Sequence, residues 1–157
     1  MGQFDKTICD CCVCPMQCVL EQLIGQFVGI ITTREGNELT INNVDDFTVF
    51  ATDGANQNYS IPICNVSAVF SIPISLQIEL KPSRTNVKGE CSCCEDPTNR
   101  LLNTLSRSQE LEFTFLNGST SGFIRDIGEG IVLVESGGFL EAISICYLNK
   151  INTPSPF

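Results

Sequence analysis

The stretch Cys9-Asp-Cys-Cys-Val-Cys-Pro-Met-Gln-Cys18 opens the repeat around which this chain is organised. A shorter, less similar copy occurs 82 positions later as Cys91-Ser-Cys-Cys-Glu-Asp-Pro97. The same offset holds at the far end of the repeat, where Ile61-Pro-Ile-Cys64 aligns with Ile143-Ser-Ile-Cys146. A register kept at both ends indicates a duplicated unit. The chain is therefore predicted to contain one module twice.

The repeat also sets the predicted domain division. A chain of 157 residues can form one domain, but a duplicated unit favours two modules of about 65 to 75 residues each. We place the boundary in the polar loop that follows Leu80. Residues 1–80 then hold a Cys-rich arm, a short helix and the first module. Residues 81–157 hold the linker, the second Cys box, a short helix, the second module and a C-terminal tail.

Hydrophobic periodicity predicts one short helix and several short strands in each copy. Val19, Leu20, Leu23 and Ile24 are at helical spacing, with Pro15 near the start of the helix and Gly25 as a stop. Beyond the helix the period changes to two, with Gly, Asn and Asp turns between the apolar runs. The predicted strands are 27–33, 39–41, 47–50, 59–63 extended through 66–69, 72–80, 111–115, 122–125, 131–134 and 140–145.

This layout of a short helix and about five bent strands resembles small SH3-like and Sm-like barrels. The segment Leu116–Asp126 resembles the first Sm motif, with a turn glycine at Gly118 and a second glycine at Gly122. The first copy has Gly36 but carries Thr40 at the second position. The resemblance implies an all-β fold of two tandem Sm-like or SH3-like barrels, each preceded by a Cys-rich arm and a short helix.

The charge and the second Sm motif argue against a nucleic-acid partner. The net charge is −9, and only nine Lys and Arg residues are spread over the chain, whereas phosphate contacts need clustered basic residues. The Arg-Gly pair of RNA-binding Sm proteins is also missing from Ile63–Asn65 and Ile145–Tyr147.

The first copy contains three short apolar motifs, namely a leucine-rich helix, a G-x-x-V-x-I-x-T strand and an I-P-I strand. Their residues are Leu20, Leu23, Gly25, Val28, Ile30, Thr32, Ile61, Pro62 and Ile63. In these motifs the copy resembles short proteins of spore-forming Bacillus-type bacteria. The resemblance implies a spore-surface protein made in the mother-cell cytoplasm and cross-linked as that cell dies.

The N-terminus and the cysteine content agree with this localisation. Residues 1–8 carry no apolar core of a secretory signal, and the apolar runs are shorter than a membrane span. We therefore expect no signal peptide and no membrane partner. Ten cysteines in such a chain are typical of oxidised, disulfide-rich proteins.

Three roles are open to the cysteines: disulfides within each module, disulfides to a neighbouring subunit, or a thiolate metal site. The C-x2-C pairs at Cys9–Cys12 and Cys91–Cys94 keep a zinc site as an alternative, although their separation is long. Cys64 and Cys146 are predicted to lie in apolar strands flanked by isoleucine, as either small buried residues or bridge partners. The candidate cross-linking residues are Cys9, Cys11, Cys12, Cys14, Cys18, Cys64, Cys91, Cys93, Cys94 and Cys146.

Catalysis has little support in the sequence. The chain contains no His, which excludes Ser-His and Cys-His dyads, and no phosphate-binding glycine loop of the P-loop type is present. We expect no enzyme and no cofactor. The sequence predicts a self-assembling structural protein of a spore surface or appendage, cross-linked by disulfides, with itself and other spore-surface proteins as partners. The alternative is a soluble zinc-thiolate or Sm-like nucleic-acid-binding module.

Overall fold

The computed structural model describes residues 13–82, 98 and 100–152. One helix with defined bounds, α1, spans Cys14–Glu21. Two 3-10 turns lie at Ile63–Asn65 and Ile145–Tyr147. The strands are β1 (Phe27–Thr32), β2 (Gly36–Asp45), β3 (Thr48–Thr52), β4 (Asn58–Pro62), β5 (Val66–Pro73), β6 (Leu111–Phe115), β7 (Gly118–Gly128), β8 (Ile131–Ser136), β9 (Phe139–Ser144) and β10 (Leu148–Asn152).

The predicted first helix is confirmed, and its sequence explains its position. Pro15 stands in the first turn, where the missing N–H costs no helical hydrogen bond. Met16, Val19 and Leu20 are buried on one face, as the spacing predicts. The chain then turns at Gly25, whose φ of +89° is a conformation that glycine adopts at little cost.

The strands form one antiparallel sheet of ten strands in the order β10-β6-β7-β8-β9-β5-β1-β2-β3-β4. Each copy of the repeat supplies five consecutive strands of this order, which we call the first half (β1–β5) and the second half (β6–β10). The prediction of an all-β protein is confirmed. The sheet is not closed, so two separate closed barrels are not confirmed.

The two halves join edge to edge where β5 pairs with β9, and we call this ladder the inner joint. Its register places Ala68 opposite Ile143 and Val69 opposite Ala142. After a bulge the ladder resumes with Ile72 opposite Leu140. All these residues except Leu140 are at most 2% exposed, and Leu140 is 4% exposed. The inner joint is therefore part of the protein's interior.

Both hydrophobic clusters of the described residues draw side chains from both halves. The first cluster combines α1 and the first half with Ile131 and Leu133 of β8. The second combines the second half with Ala68 of β5, and Ile31 of β1 packs against it. Because each cluster crosses the inner joint, the halves share their cores.

The strand predicted at 72–80 is wrong beyond Pro73. The chain turns after β5, and residues 77–80 have no regular secondary structure. Their alternating side chains Leu76, Ile78 and Leu80 still pack against the first cluster. In this segment Gln22, after α1, bonds the backbone of Glu79 through both amide atoms, at 2.9 Å and 2.8 Å. The side-chain amide of Gln22 thus bonds the backbone N–H and C=O of Glu79, as a neighbouring strand would do.

Candidate functional site

The structure describes four of the ten candidate cysteines. Cys14 and Cys18 lie on α1, and Cys64 and Cys146 lie in the two 3-10 turns. Cys14 and Cys146 each take part in a disulfide, whereas Cys18 and Cys64 carry free thiols. The predictions for Cys9, Cys11, Cys12, Cys91, Cys93 and Cys94 fall outside the described residues.

Cys64 and Cys146 occupy equivalent positions of the repeat, but the expectation of strand cysteines is wrong. Both lie in one-turn 3-10 helices between strands. In each turn the preceding isoleucine takes the buried position, with Ile63 at 1% and Ile145 at 2% exposure. The following cysteine is exposed to solvent at Cys64 and half-buried at Cys146. The expectation of a small buried residue at position 64 is therefore wrong.

Tyr147 connects the two turns. Its hydroxyl donates a hydrogen bond to the backbone carbonyl of Cys64, so the second half contacts the first beside the exposed thiol. Burial raises the pKa of Tyr147, and the nearby Cys64 adds to the rise. The hydroxyl therefore stays protonated and able to donate near neutral pH. The thiol of Cys64 consequently lies on the surface where the two halves meet.

Ser67 of β5 supplies a second polar connection between the halves, next to the inner joint. Its side chain is fully buried, and its hydroxyl lies 3.2 Å from the carbonyl of Ile31 and 2.9 Å from that of Leu116. One carbonyl belongs to each half. The side-chain amide of Asn117 adds a 3.3 Å bond to the carbonyl of Thr32. The serine hydroxyl has one proton, which it donates to one of its two carbonyls at a time. Together with the bond from Asn117, it satisfies polar backbone groups where one copy of the repeat meets the other.

The sheet ends at β4 on one side and at β10 on the other, and we call these two strands the outer edges. Neither has a second strand partner within the described part of the chain. Along β4, Asn58, Tyr59 and Ser60 are exposed and Ile61 is half-buried. Along β10, Lys150 is exposed and Ile151 is half-buried. Unpaired edge strands present backbone donors and acceptors to a further strand.

The turn before β4 is tightly organised. The carboxylate of Asp53 accepts bonds from the amides of Ala55 at 2.8 Å and Gln57 at 2.9 Å. It also accepts a bond from the hydroxyl of Tyr59 at 3.1 Å. These bonds, above all the one from the Gln57 amide, lower the pKa of Asp53. The outer edge at β4 is thus held in place by its own turn.

The described residues include no group of three or more His, Cys, Asp and Glu that could hold a metal ion. The C-x2-C pairs proposed for zinc lie outside them. Among these same residues, no helix is long and apolar enough to span a membrane.

Comparison of the chain with protein-family models, with curated proteins and with solved structures found no match. The resemblances in the sequence therefore remain predictions, and function has to be argued from the geometry. Sequence reasoning did not single out Ser67 and Tyr147. The one available signal was a serine within the apolar run Val66–Val69 and a tyrosine directly after Cys146.

Proposed function

We propose that this protein is a structural protein that assembles with copies of itself and is then cross-linked by disulfides at the surface of a bacterial spore. The inner joint is the observation that carries the proposal. Through it, one copy of the repeat already binds the other by strand pairing, buried apolar contacts and polar bonds. A unit that binds its own duplicate in this way is suited to bind further copies.

The cysteines support the covalent part of the proposal. Cys64 has an exposed free thiol at the boundary between the halves, where another molecule can reach it. A thiolate attacks one sulfur of an accessible disulfide, forms a mixed disulfide with it and releases the other sulfur as a thiolate. Two disulfide-bonded cysteines, Cys14 and Cys146, lie in the same chain. Oxidation after assembly would lock contacts that strand pairing had already positioned.

We also infer that each half is an Sm-like unit. The two halves have the same strand order, β5-β1-β2-β3-β4 and β10-β6-β7-β8-β9. Each has a long second strand with a register shift, between Ile41 and Asn43 in β2 and between Ile124 and Asp126 in β7. In each, a 3-10 turn connects the fourth and fifth strands. These shared features support an Sm-like arrangement of the strands within each half, although neither half closes into a barrel.

The location at a spore surface rests on the sequence. Ten cysteines and an acidic net charge of −9 suit a soluble precursor that is oxidised later. The resemblance to proteins of spore-forming bacteria suggests where this happens: the protein is made in the mother-cell cytoplasm, and its thiols are oxidised when that cell lyses. Other spore-surface proteins are proposed as additional partners through the same thiol chemistry.

The experiment compares the purified protein before and after oxidation. We expect electron micrographs of the oxidised protein to show regular particles or fibres. In denaturing gels the assembled material should run as monomer only with reductant. Cys64→Ser should weaken the covalent ladder while leaving assembly intact, and Cys18→Ser, which removes a less exposed thiol, serves as the matched control.

Other outcomes would replace the proposal. If the oxidised protein runs as monomer without reductant and shows no assembled material, the cysteines are internal staples. Stoichiometric Zn²⁺ in monomeric protein from a reducing cytoplasm would favour the metal-binding alternative. Tight binding of a labelled oligonucleotide at physiological salt would favour a nucleic-acid-binding module.

A further inference from the structure

The two outer edges are the repeat equivalents of the two strands that form the inner joint. With the 82-residue offset, β4 corresponds to β9 and β10 corresponds to β5. The inner joint pairs β9 of the second half with β5 of the first half. The first half therefore presents a β9-like edge, and the second half presents a β5-like edge. A second copy of the chain carries the matching edge for each.

The register of such a contact can be read from the inner joint. Ala68 lies opposite Ile143 and Val69 opposite Ala142. The same offset converts these pairs into Lys150 opposite Ile61 and Ile151 opposite Ser60. Side chains alternate between the two faces of a strand, so a register shifted by one residue would place different side chains on each face. This register can therefore be distinguished from the shifted ones.

Side chains of the outer edges are less buried than their equivalents in the inner joint, as expected for strands that lack a partner strand on one side. Val69 and Ile143 are fully buried in the inner joint. Their equivalents Ile151 and Ile61 are only half-buried. Both retain a large β-branched side chain, which is favourable in a strand that packs against a neighbour.

Two residues of the outer edges are of a type that blocks strand addition, namely Lys150 and Pro62. Neither position prevents the inferred contact. Ser144, the equivalent of Pro62, is not among the paired residues of the inner joint, so the missing N–H of Pro62 lies outside the ladder. Lys150 has a long apolar stem that can lie along Ile61 while its ammonium group remains in water.

We propose that β10 of one copy pairs antiparallel with β4 of the next copy, with Ile151 opposite Ser60 and Lys150 opposite Ile61. The inference rests on the proposed function and specifies its contact. Such a joint is heterologous, so each copy uses two different edges. Repetition produces a ring if the rotation closes and a filament if it does not.

The test is a register-specific disulfide between two different chains. One chain, labelled with ¹⁵N, carries Ser60→Cys and the other, unlabelled, carries Ile151→Cys, both with Cys64→Ser. Paired strand positions have Cα separations of about 4.5 to 5.5 Å, within the range that a disulfide spans. The mixture is assembled under reducing conditions, oxidised briefly and digested with trypsin. The tryptic peptide 151–157 has no native cysteine, and Cys64 is the one native cysteine of the peptide that contains Ser60. With Cys64→Ser, each peptide therefore carries only its introduced cysteine.

The matched control replaces Ile151→Cys by Asn152→Cys, one position along the strand and on the opposite face. We expect a cross-linked peptide with one labelled and one unlabelled half for the 60–151 pair, at a yield at least about tenfold above the 60–152 pair. If assembled material forms but the two yields are equal, or neither link forms, the proposed edge contact is wrong while self-assembly stands. If no assembled material forms, both the contact and the proposed function are wrong.

Discussion

Gly122 of β7 shows, at the scale of one residue, how closely the strands of this sheet approach. A Cβ atom at this position would lie 2.3 Å from the carbonyl oxygen of Glu135 and 2.7 Å from a methyl carbon of Val134. The first of these neighbours is backbone and cannot rotate away. Packing therefore requires glycine at this position, which is the second glycine of the segment that resembles an Sm motif, and no nucleic-acid ligand is needed to explain it.

Glu141 of β9 is a charged residue in an unfavourable position. Its side chain is half-buried and accepts a 3.0 Å hydrogen bond from the hydroxyl of Thr120. Burial raises the pKa of Glu141, and the bond from Thr120 opposes the rise only in part. The folded protein thus binds the proton of this carboxyl more tightly than the unfolded chain does.

We predict that Glu141→Gln increases the free energy of unfolding near pH 7. A carboxyl whose pKa is raised on folding contributes stability in its protonated form, below the unfolded pKa near 4.5. That contribution is lost as the pH rises through the folded pKa, so the ionised carboxylate is a cost at neutral pH. Gln keeps a hydrogen-bonding oxygen without the charge.

The measurement is urea unfolding of the reduced protein at pH 7.5 and at pH 4. The variant should be the more stable protein at pH 7.5, and its advantage should shrink or vanish at pH 4. Glu112→Gln, at an exposed position of β6, is the control and should change little at either pH. An equal gain at both values would show that charge burial is not the cause.

At the scale of elements, residues 74–81 join the two halves without forming a strand. Glu129, directly after β7, donates a backbone hydrogen bond to the carbonyl of Lys81 at 2.7 Å. A Cβ atom on Gly128 would lie 2.4 Å from the Cβ of Leu80, so glycine permits this close approach. On the other side, the amide of Gln22 holds Glu79. The segment is thus fixed by individual contacts with α1 and β7.

We predict that Gln22→Ala releases this segment. The substitution removes both bonds to Glu79 and one to the carbonyl of Cys18. We expect a loss of about 1 kcal/mol of stability, since exposed hydrogen bonds contribute modestly. Hydrogen exchange at the amide of Glu79 should become faster, while exchange in β1 should change only by the global amount.

Gln17→Ala is the control, because the amide nitrogen of Gln17 reaches only as far as Glu21 on the same helix. It should leave the exchange at Glu79 unchanged. Unaltered exchange at Glu79 in Gln22→Ala would show that apolar packing of Leu80 and Ile78 alone holds the segment.

For the whole molecule, the shared clusters determine how the two halves unfold. Ile131 and Leu133 of the second half lie in the same cluster as α1 and β1. Ala68 of the first half lies in the cluster of the second. Loss of either half would expose apolar surface of the other, so neither half has an independent core.

We predict that the reduced, unassembled protein unfolds in a single transition. Calorimetry should give a ratio of calorimetric to van't Hoff enthalpy of about 1. A fragment of residues 1–82 should have little stable β-structure by circular dichroism. Two separate transitions, or a folded fragment, would show that the repeats are independent domains as the sequence suggests.

Local pattern in the sequence was sufficient for the repeat, the all-β class, the first helix and most strands. Strand β6 has the predicted bounds, and the turn at Gly137 and Gly138 has the positive φ values that two glycines favour. These features depend on a few neighbouring residues and on periods of 2 and 3.6, which the sequence displays directly. The strand predicted after Pro73 is wrong, because the alternating apolar side chains there pack against the first cluster without pairing in the sheet.

Only the tertiary structure decided how the halves join and what faces solvent. Val69 and Ala142 pair across 73 positions of sequence, and no local pattern specifies which distant edge a strand selects. The same choice leaves β4 and β10 at the two ends of an open sheet. Tertiary packing also directs Ile63 inward and leaves Cys64 exposed, because Ile63 belongs to the first hydrophobic cluster.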